Sequence, residues 1–210
     1  DVSNVSHFYN YQLYCKNIYI SIKQFNKNTI KKIKMKTTKE YIKTICEEYN
    51  VVDATNIETI YSIDPENSTD FDDAYSIITH DDGSHTLSIY ISNVTLWLDY
   101  LQLWNDFSNQ VSTIYLPNKK RPMLPNILSD NLCSLMEGKE RFAFTLDIKL
   151  DGECNILSTT FSNKLIIVQK NMRYDTDILQ KNTDYKKIYN IVKQLNNKRK
   201  YLEVISDSHH

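Results

Sequence analysis

Four aspartates fall at Asp64, Asp70, Asp72 and Asp73, in the stretch Ile63-Asp-Pro-Glu-Asn-Ser-Thr-Asp-Phe-Asp-Asp-Ala74. Glu66 adds a fifth carboxylate, and no Lys or Arg interrupts them. Short carboxylates packed this densely repel one another at neutral pH. Full solvation relieves the repulsion, and so does a cation among them. Hard divalent ions such as Mg²⁺ take carboxylate oxygens and keep several waters. An EF-hand loop is excluded, because it calls for Gly at its sixth place and Glu at its twelfth. Counted from Asp64, those places hold Thr69 and Tyr75. On spacing alone a metal site and a solvated acidic turn both stay open. A regular strand would send the neighbours Asp72 and Asp73 to opposite faces, so the stretch is expected to be a loop or irregular turn.

Elements on either side must hold this stretch in place. Residues 57–63 read as a strand leading into it, and Ala74–Thr79 as a strand leaving it. Asp81-Asp-Gly-Ser84 is a hairpin turn, which pairs 86–94 back antiparallel onto 74–79. Residues 96–107 carry Leu98, Leu101, Leu103 and Trp104 at helical spacing. Thr113–Leu116 is short and extended. Pro117, Pro122 and Pro125 enclose a rigid loop over 116–126. Residues 130–136 form one or two helical turns. Phe142–Leu150 alternates as a strand, Asp151-Gly152 turns it, and 155–168 returns as one or two more. Tyr185–Tyr201 reads as a helix with Ile188, Ile191, Val192 and Leu195 on one face. Near the start, 1–26 reads as one or two strands, with alternation in Asn17–Ile22. Residues 26–36 read as a basic loop, and a helix follows from Thr38, with Ile42, Ile45, Cys46 and Tyr49 on one face. The predicted class is α+β: a mixed, mostly antiparallel sheet with flanking helices.

Composition narrows the partners. The 210 residues carry a net charge of −1, unevenly spread. Residues 1–50 hold nine lysines against four acids, 51–160 six basic residues against seventeen acidic, and 161–210 ten against five. Basic flanks around an acidic centre suit a polyanion held near a metal, although solvated lysine faces would give the same pattern. Cys15, Cys46, Cys133 and Cys154 show no Cys-x-x-Cys pair and no histidine at zinc-finger spacing. That argues against structural zinc and for a reducing, cytoplasmic compartment. No apolar run reaches the roughly 18 residues a membrane span needs, and no signal peptide stands at the start. The chain begins at Asp1 rather than Met, which reads as a fragment or a processed product.

More of the chain then bears on the aspartates. Asp64, followed six residues later by Asp70-Phe-Asp72-Asp73 and Ala74, resembles the signature of the ribonuclease II/R family, whose catalytic region is the RNB domain. The likeness continues in order through Tyr115-Leu-Pro117, Met123-Leu-Pro125, Leu132-Cys-Ser-Leu135 and Arg141, across about residues 50–170. The resemblance implies a 3′-to-5′ exoribonuclease that releases 5′-mononucleotides from single-stranded RNA with Mg²⁺, Mn²⁺ being the alternative ion. It implies that Asp64, Asp70, Asp72 and Asp73 share the metal, with Asp72 and its neighbour Asp73 at the chemistry. Tyr115 would stack on a base near the 3′ end; its plainer reading is a core tyrosine. Arg141 would either face phosphate or cap a strand. Lys119-Lys120-Arg121 reads as a solvated loop within reach of an RNA backbone. Cys133 reads as buried packing. Residues 51–210 would be the N-terminal part of the catalytic domain, and 1–50 the end of a cold-shock-type barrel plus a linking helix. Other RNA-processing proteins are the implied protein partners.

The chain departs from the family most notably at Tyr90, Asn93 and Gln110. It has Tyr90-Ile-Ser-Asn-Val-Thr95 where the family has His-Ile-Ala-Asp-Val-Ser, and Gln110 where the family tends to have Arg. The family's later aromatics and arginines do not occur before His210, so catalysis is expected to need more than these residues. A degenerate RNB-like module that holds RNA without cutting is the alternative. An acidic-loop domain unconnected with nucleic acid is the third reading.

Overall fold

Period-2 alternation builds the middle of the molecule. The computed structural model describes residues 2–15, 27–37, 40–57, 59–107, 113–116, 119–174 and 176–207. In chain order these form α1 (Val2–Cys15), α2 (Lys27–Lys36), α3 (Tyr41–Glu48), β1 (Val52–Asp53), β2 (Tyr61–Asp64), β3 (Asp73–Thr79) and β4 (His85–Ser92). Then come α4 (Val94–Leu101), α5 (Trp104–Phe107), β5 (Ile114–Leu116), β6 (Lys119–Arg121), a π-helical turn (Leu128–Leu132), β7 (Glu140–Leu150), β8 (Ile156–Ile167), β9 (Lys170–Arg173), α6 (Thr176–Lys181) and α7 (Thr183–Asp207).

Seven strands make one sheet in the order β1-β8-β7-β4-β3-β2-β9, and β5-β6 form a separate hairpin. The four central junctions, β8-β7-β4-β3-β2, are antiparallel; β1 on β8 and β9 on β2 are parallel. The architecture is therefore the expected mixed, mostly antiparallel sheet with helices. The Asp81–Ser84 turn closes β3 onto β4, with Gly83 at φ 79° where a residue with Cβ would be strained. Asp82 caps the turn, accepting from the Ser84 N–H and hydroxyl.

The register gives β7 two faces. Phe142, packed with Leu165, Trp97 and Leu101, lies under α3 and α4 together with Ile45. At the far end of the same face Leu150, Leu87 and Ile77 lie under Ile191 of α7. The opposite face carries Ala143, Tyr90, Ile166 and Val168, covered by Phe71 and Leu135. Phe71 sits inside the aspartate stretch, so the core itself anchors that loop.

Several local expectations need correction. The described part of 1–26 is the helix α1, not strand; Val2, Val5 and Phe8 recur every three places. Asn17–Ile22 and Thr38 lie outside the described residues. The basic run is helix α2 rather than loop. Its Thr29 and Ile33 are buried, and two of its lysines have acceptors: Lys36 Nζ donates to the Tyr100 carbonyl at 3.1 Å and Lys32 Nζ to the Gln102 carbonyl at 3.4 Å. Those carbonyls end α4, where the helix dipole favours cations. The expected helix over 96–107 is two, α4 and α5, split at Gln102, whose backbone is left-handed at φ 53°. The proline-bounded loop contains β6: Lys119–Arg121 holds no proline, so none of its residues lacks an N–H, and it pairs antiparallel with β5. Residues 155–168 give one strand, β8, within the one or two expected. On α7, Ile191 is buried and Ile188 and Leu195 are half-buried, but Val192 is exposed. Among the described residues no helix is long and apolar enough to cross a membrane. All four cysteines are free thiols.

Candidate functional site

The aspartates occupy the end of β2, the loop after it and the start of β3. Asp64 closes β2 and Asp73 opens β3; Asp70 and Asp72 belong to the irregular segment between. The loop reading of this stretch therefore agrees with the structure. Phe71 pins it from below: its N–H donates to Ser134 Oγ at 3.0 Å, and its carbonyl accepts from the Leu135 N–H at 2.8 Å. The Asp72 carbonyl continues the β3–β4 ladder, accepting from the Ser92 N–H at 2.8 Å. Ser92 Oγ in turn donates to the Cys133 carbonyl. The Leu132-Cys-Ser-Leu135 motif thus acts through its backbone and one hydroxyl, as the clamp on the acidic loop.

Asp70 and Asp72 line a cleft of about 310 Å³ with Tyr115, Ile91, Met123 and Cys133. Tyr115 is 73 % exposed, which removes the core-tyrosine reading and leaves its ring facing the cleft and solvent. Cys133 is buried, and burial pushes its thiol up to about 12, so it stays protonated and is packing rather than a nucleophile.

Asp64 stands apart, 8 % exposed. Burial pushes its carboxyl above the usual range; Ser62 Oγ, donating to Asp64 Oδ2 at 2.7 Å, works against that, as does the charge of Arg173, while Asp73 and Asp70 add to it. Asp64 therefore feels the charges of Asp70 and Asp73. The four carboxylates do not converge: among the described residues no three His, Cys, Asp or Glu side chains form a group that could hold a metal. The donor chemistry fits a hard divalent ion, and side-chain rotation is needed to bring the oxygens together.

Arg141, expected to face phosphate or cap a strand, is 9 % exposed and turned into the protein. Its Nε donates to the carbonyls of Ser134 at 2.9 Å and Asn131 at 3.0 Å, Nη1 to the Glu140 carbonyl at 2.8 Å, and Nη2 to Asn131 Oδ1 at 2.9 Å. A guanidinium engaged on all three nitrogens braces the 131–136 segment, and through it Phe71. It does not reach outward to a ligand.

Two departures from the family pattern have structural readings. Tyr90 is fully buried, its hydroxyl 2.9 Å from Ser76 Oγ and its ring 5.9 Å below the Lys164 ammonium. Asn93 caps α4: its Oδ1 accepts from the Leu96 N–H at 3.1 Å, and its Nδ2 donates to Asn163 Oδ1 at 2.8 Å. An aspartate would cap the same N–H, so the change preserves the helix start. Asn93→Ala is expected to cost about 1 kcal/mol, and Asn93→Asp much less; urea midpoints of the two variants measure the difference. Gln110 and the side chains of Lys119, Lys120 and Arg121 lie outside the described residues.

Sequence reasoning missed β9. It runs parallel to β2 with Asp64 opposite Arg173. The Tyr174 N–H donates to the Asp64 carbonyl at 3.2 Å, Arg173 Nη1 donates to the Pro65 carbonyl at 2.8 Å, and the Tyr174 ring is 69 % exposed. A cation and an aromatic thus flank Asp64 with no sequence signal to announce them.

A family model described as the RNB domain matches residues 52–208. The chain belongs to the RNB-domain family. The RNB match covers the aspartates, the cleft and all of β9. DIS3-like exonuclease 2 of Schizosaccharomyces pombe is 35 % identical over 111 residues, 52 % of this RNB chain and 12 % of that protein. Ribonuclease R of Thermotoga maritima is 29 % identical over 119 residues, 56 % of this chain and 17 % of that protein. The RNB chain thus spans under a fifth of the length of these curated relatives. Among solved structures, Mycoplasma genitalium RNase R in complex with double-stranded RNA matches at a TM-score of 0.67 and 22 % identity, over 83 % of this chain and 33 % of that one. The yeast pseudonuclease Ssd1 matches at 0.61 and 18 %, over 73 % and 20 %. At such identity these two structures speak to the RNB fold alone.

Proposed function

We propose that the protein supplies the acidic half of a 3′-to-5′ exoribonuclease site, hydrolysing single-stranded RNA to 5′-mononucleotides. Asp64, Asp70, Asp72 and Asp73 would hold Mg²⁺, or Mn²⁺ in its place. The reading is carried by the cleft in which Asp70 and Asp72 meet the exposed ring of Tyr115, inside an RNB domain whose named relatives are exonucleases. The bound ion would supply an activated water and stabilise the leaving oxygen. The chain's own residues do the rest. Tyr115 offers a face on which a terminal base of any identity stacks, fixing the phosphodiester beside Asp70 and Asp72. Phe71, clamped by Ser134 and Leu135, keeps those two carboxylates aimed into the cleft.

Mononucleotide release from a single-stranded RNA, stopped by a chelator and restored by Mg²⁺, is the direct test. Oligonucleotide products in place of mononucleotides would refute it. Tyr115→Ala is expected to weaken RNA binding by about 1–3 kcal/mol, with Tyr115→Phe near the parent value; filter binding measures both. A second reading, an RNB-like module that binds RNA without cutting, is favoured by the absence of any three convergent carboxylates among the described residues. It expects RNA affinity with no release at any Mg²⁺ concentration.

A further inference from the structure

Beneath Asp64 lies a hydrogen-bonded chain with a fixed direction. We infer that Ser62 and Asn171 are positioning residues, which hold the Asp64 carboxylate by one oxygen and leave the other for a metal ion. The inference deepens the Mg²⁺ reading above and rests on it.

Asn171 Nδ2 lies 2.8 Å from Ser62 Oγ and 3.0 Å from the Leu135 carbonyl. Its Oδ1 accepts from the Glu137 N–H at 2.8 Å. The amide orientation is therefore determined: reversed, it would set its oxygen against the Leu135 carbonyl and its NH₂ against the Glu137 N–H. An amide NH₂ can only donate, so Ser62 Oγ accepts from Asn171. The single hydroxyl proton is then directed to Asp64 Oδ2, 2.7 Å away. Ser62 is fully buried, so solvent offers that proton no competing partner. Asp64 Oδ2 is consequently fixed as an acceptor, and the carboxylate is held in one rotamer with Oδ1 turned away from the relay.

The relay also joins the two parts of the acidic set. Leu135 accepts from Asn171 through its carbonyl and donates to the Phe71 carbonyl through its N–H. One residue therefore sits between the support of Asp64 and the support of the Asp70–Asp72 loop. A shift of either is transmitted to the other, and the spacing of the carboxylates is set by backbone and amide rather than by the carboxylates themselves. Such outer partners of metal ligands typically change affinity by about 10–100-fold when removed.

The test is a Mn²⁺ titration of the protein, followed by the EPR signal of the free ion, with no RNA and no turnover. Ser62→Ala and Asn171→Leu are each expected to weaken Mn²⁺ binding by about 10–100-fold, and Ser62→Thr, which keeps the hydroxyl, to restore it. A second, metal-free readout is the ¹⁵N-resolved side-chain amide of Asn171. Its proton facing Ser62 is expected to exchange slowly with solvent and to lose that protection in Ser62→Ala. Parent-like Mn²⁺ affinity in both Ser62→Ala and Asn171→Leu overturns the inference and leaves the metal reading standing. Absence of Mn²⁺ binding in the unaltered protein overturns both. A rapidly exchanging Asn171 amide overturns the relay whatever the metal does.

Discussion

Replacing Asp72 with Asn is expected to lower mononucleotide release by on the order of 10³-fold while RNA affinity is retained. The substitution keeps shape and removes one charge. Charge stabilisation at a metal-assisted phosphodiester site is worth several kcal/mol, and each 1.36 kcal/mol is tenfold in rate. Asp72 is exposed and lines the cleft with Tyr115, so folding should be unaffected, with a shift within about 0.5 kcal/mol. Rate and stability therefore separate cleanly. Single-turnover release measured beside a thermal melt reads both at once. Unchanged release in Asp72→Asn would sink the assignment of chemistry to this loop. Lost release together with lost folding would recast Asp72 as a structural residue.

Arg141→Met carries the largest expected effect on stability. The parent guanidinium donates to the carbonyls of Asn131, Ser134 and Glu140 and to Asn131 Oδ1. Methionine matches its length and supplies no donor. Hydrogen bonds from a charged donor contribute about 1.5–3 kcal/mol, and a buried carbonyl left unpaired costs about 1–3 kcal/mol. These terms overlap, so a loss of about 3 kcal/mol is expected, or roughly 6–12 °C for a chain of this size. Arg141→Lys should recover only part, because an ammonium lacks the planar fork. The site should loosen too, since Ser134 and Leu135 hold Phe71 between Asp70 and Asp72. A parent-like melt with collapsed RNA affinity would instead give Arg141 the phosphate-facing role considered from its sequence position.

The central sheet was legible because its strands alternate. Phe142 to Leu150 shows the period plainly, and Asp82-Gly83 marks the turn between β3 and β4. The acidic loop was legible as well, since four carboxylates need no partner to be noticed. What stayed hidden depends on partners distant in sequence. α2 reads as a solvated basic run until the carbonyl end of α4 is placed against Lys32 and Lys36. β9 has four residues, Lys-Asn-Met-Arg, with no pattern of its own, and is a strand only because β2 lies beside it. Arg141 spends its donors largely on backbone carbonyls, which every residue possesses, and Asn171 divides its own between the Leu135 carbonyl and a serine hydroxyl 109 residues away, so their roles leave no signature in residue type. The convergence of the aspartates could not be read either: spacing says which residues are near, not where their oxygens point.

The parallel pairing of β2 with β9 also sets an order in time. Ser62 meets its partner Asn171 across 109 residues. During synthesis at roughly 5–20 residues per second, the aspartates would precede that partner by roughly 5–20 s. Through that interval the nascent chain carries all four carboxylates but not the strand that orients Asp64. A ribosome-bound chain is therefore an acidic loop first and a potential nuclease site only once β9 has emerged and closed the edge of the sheet.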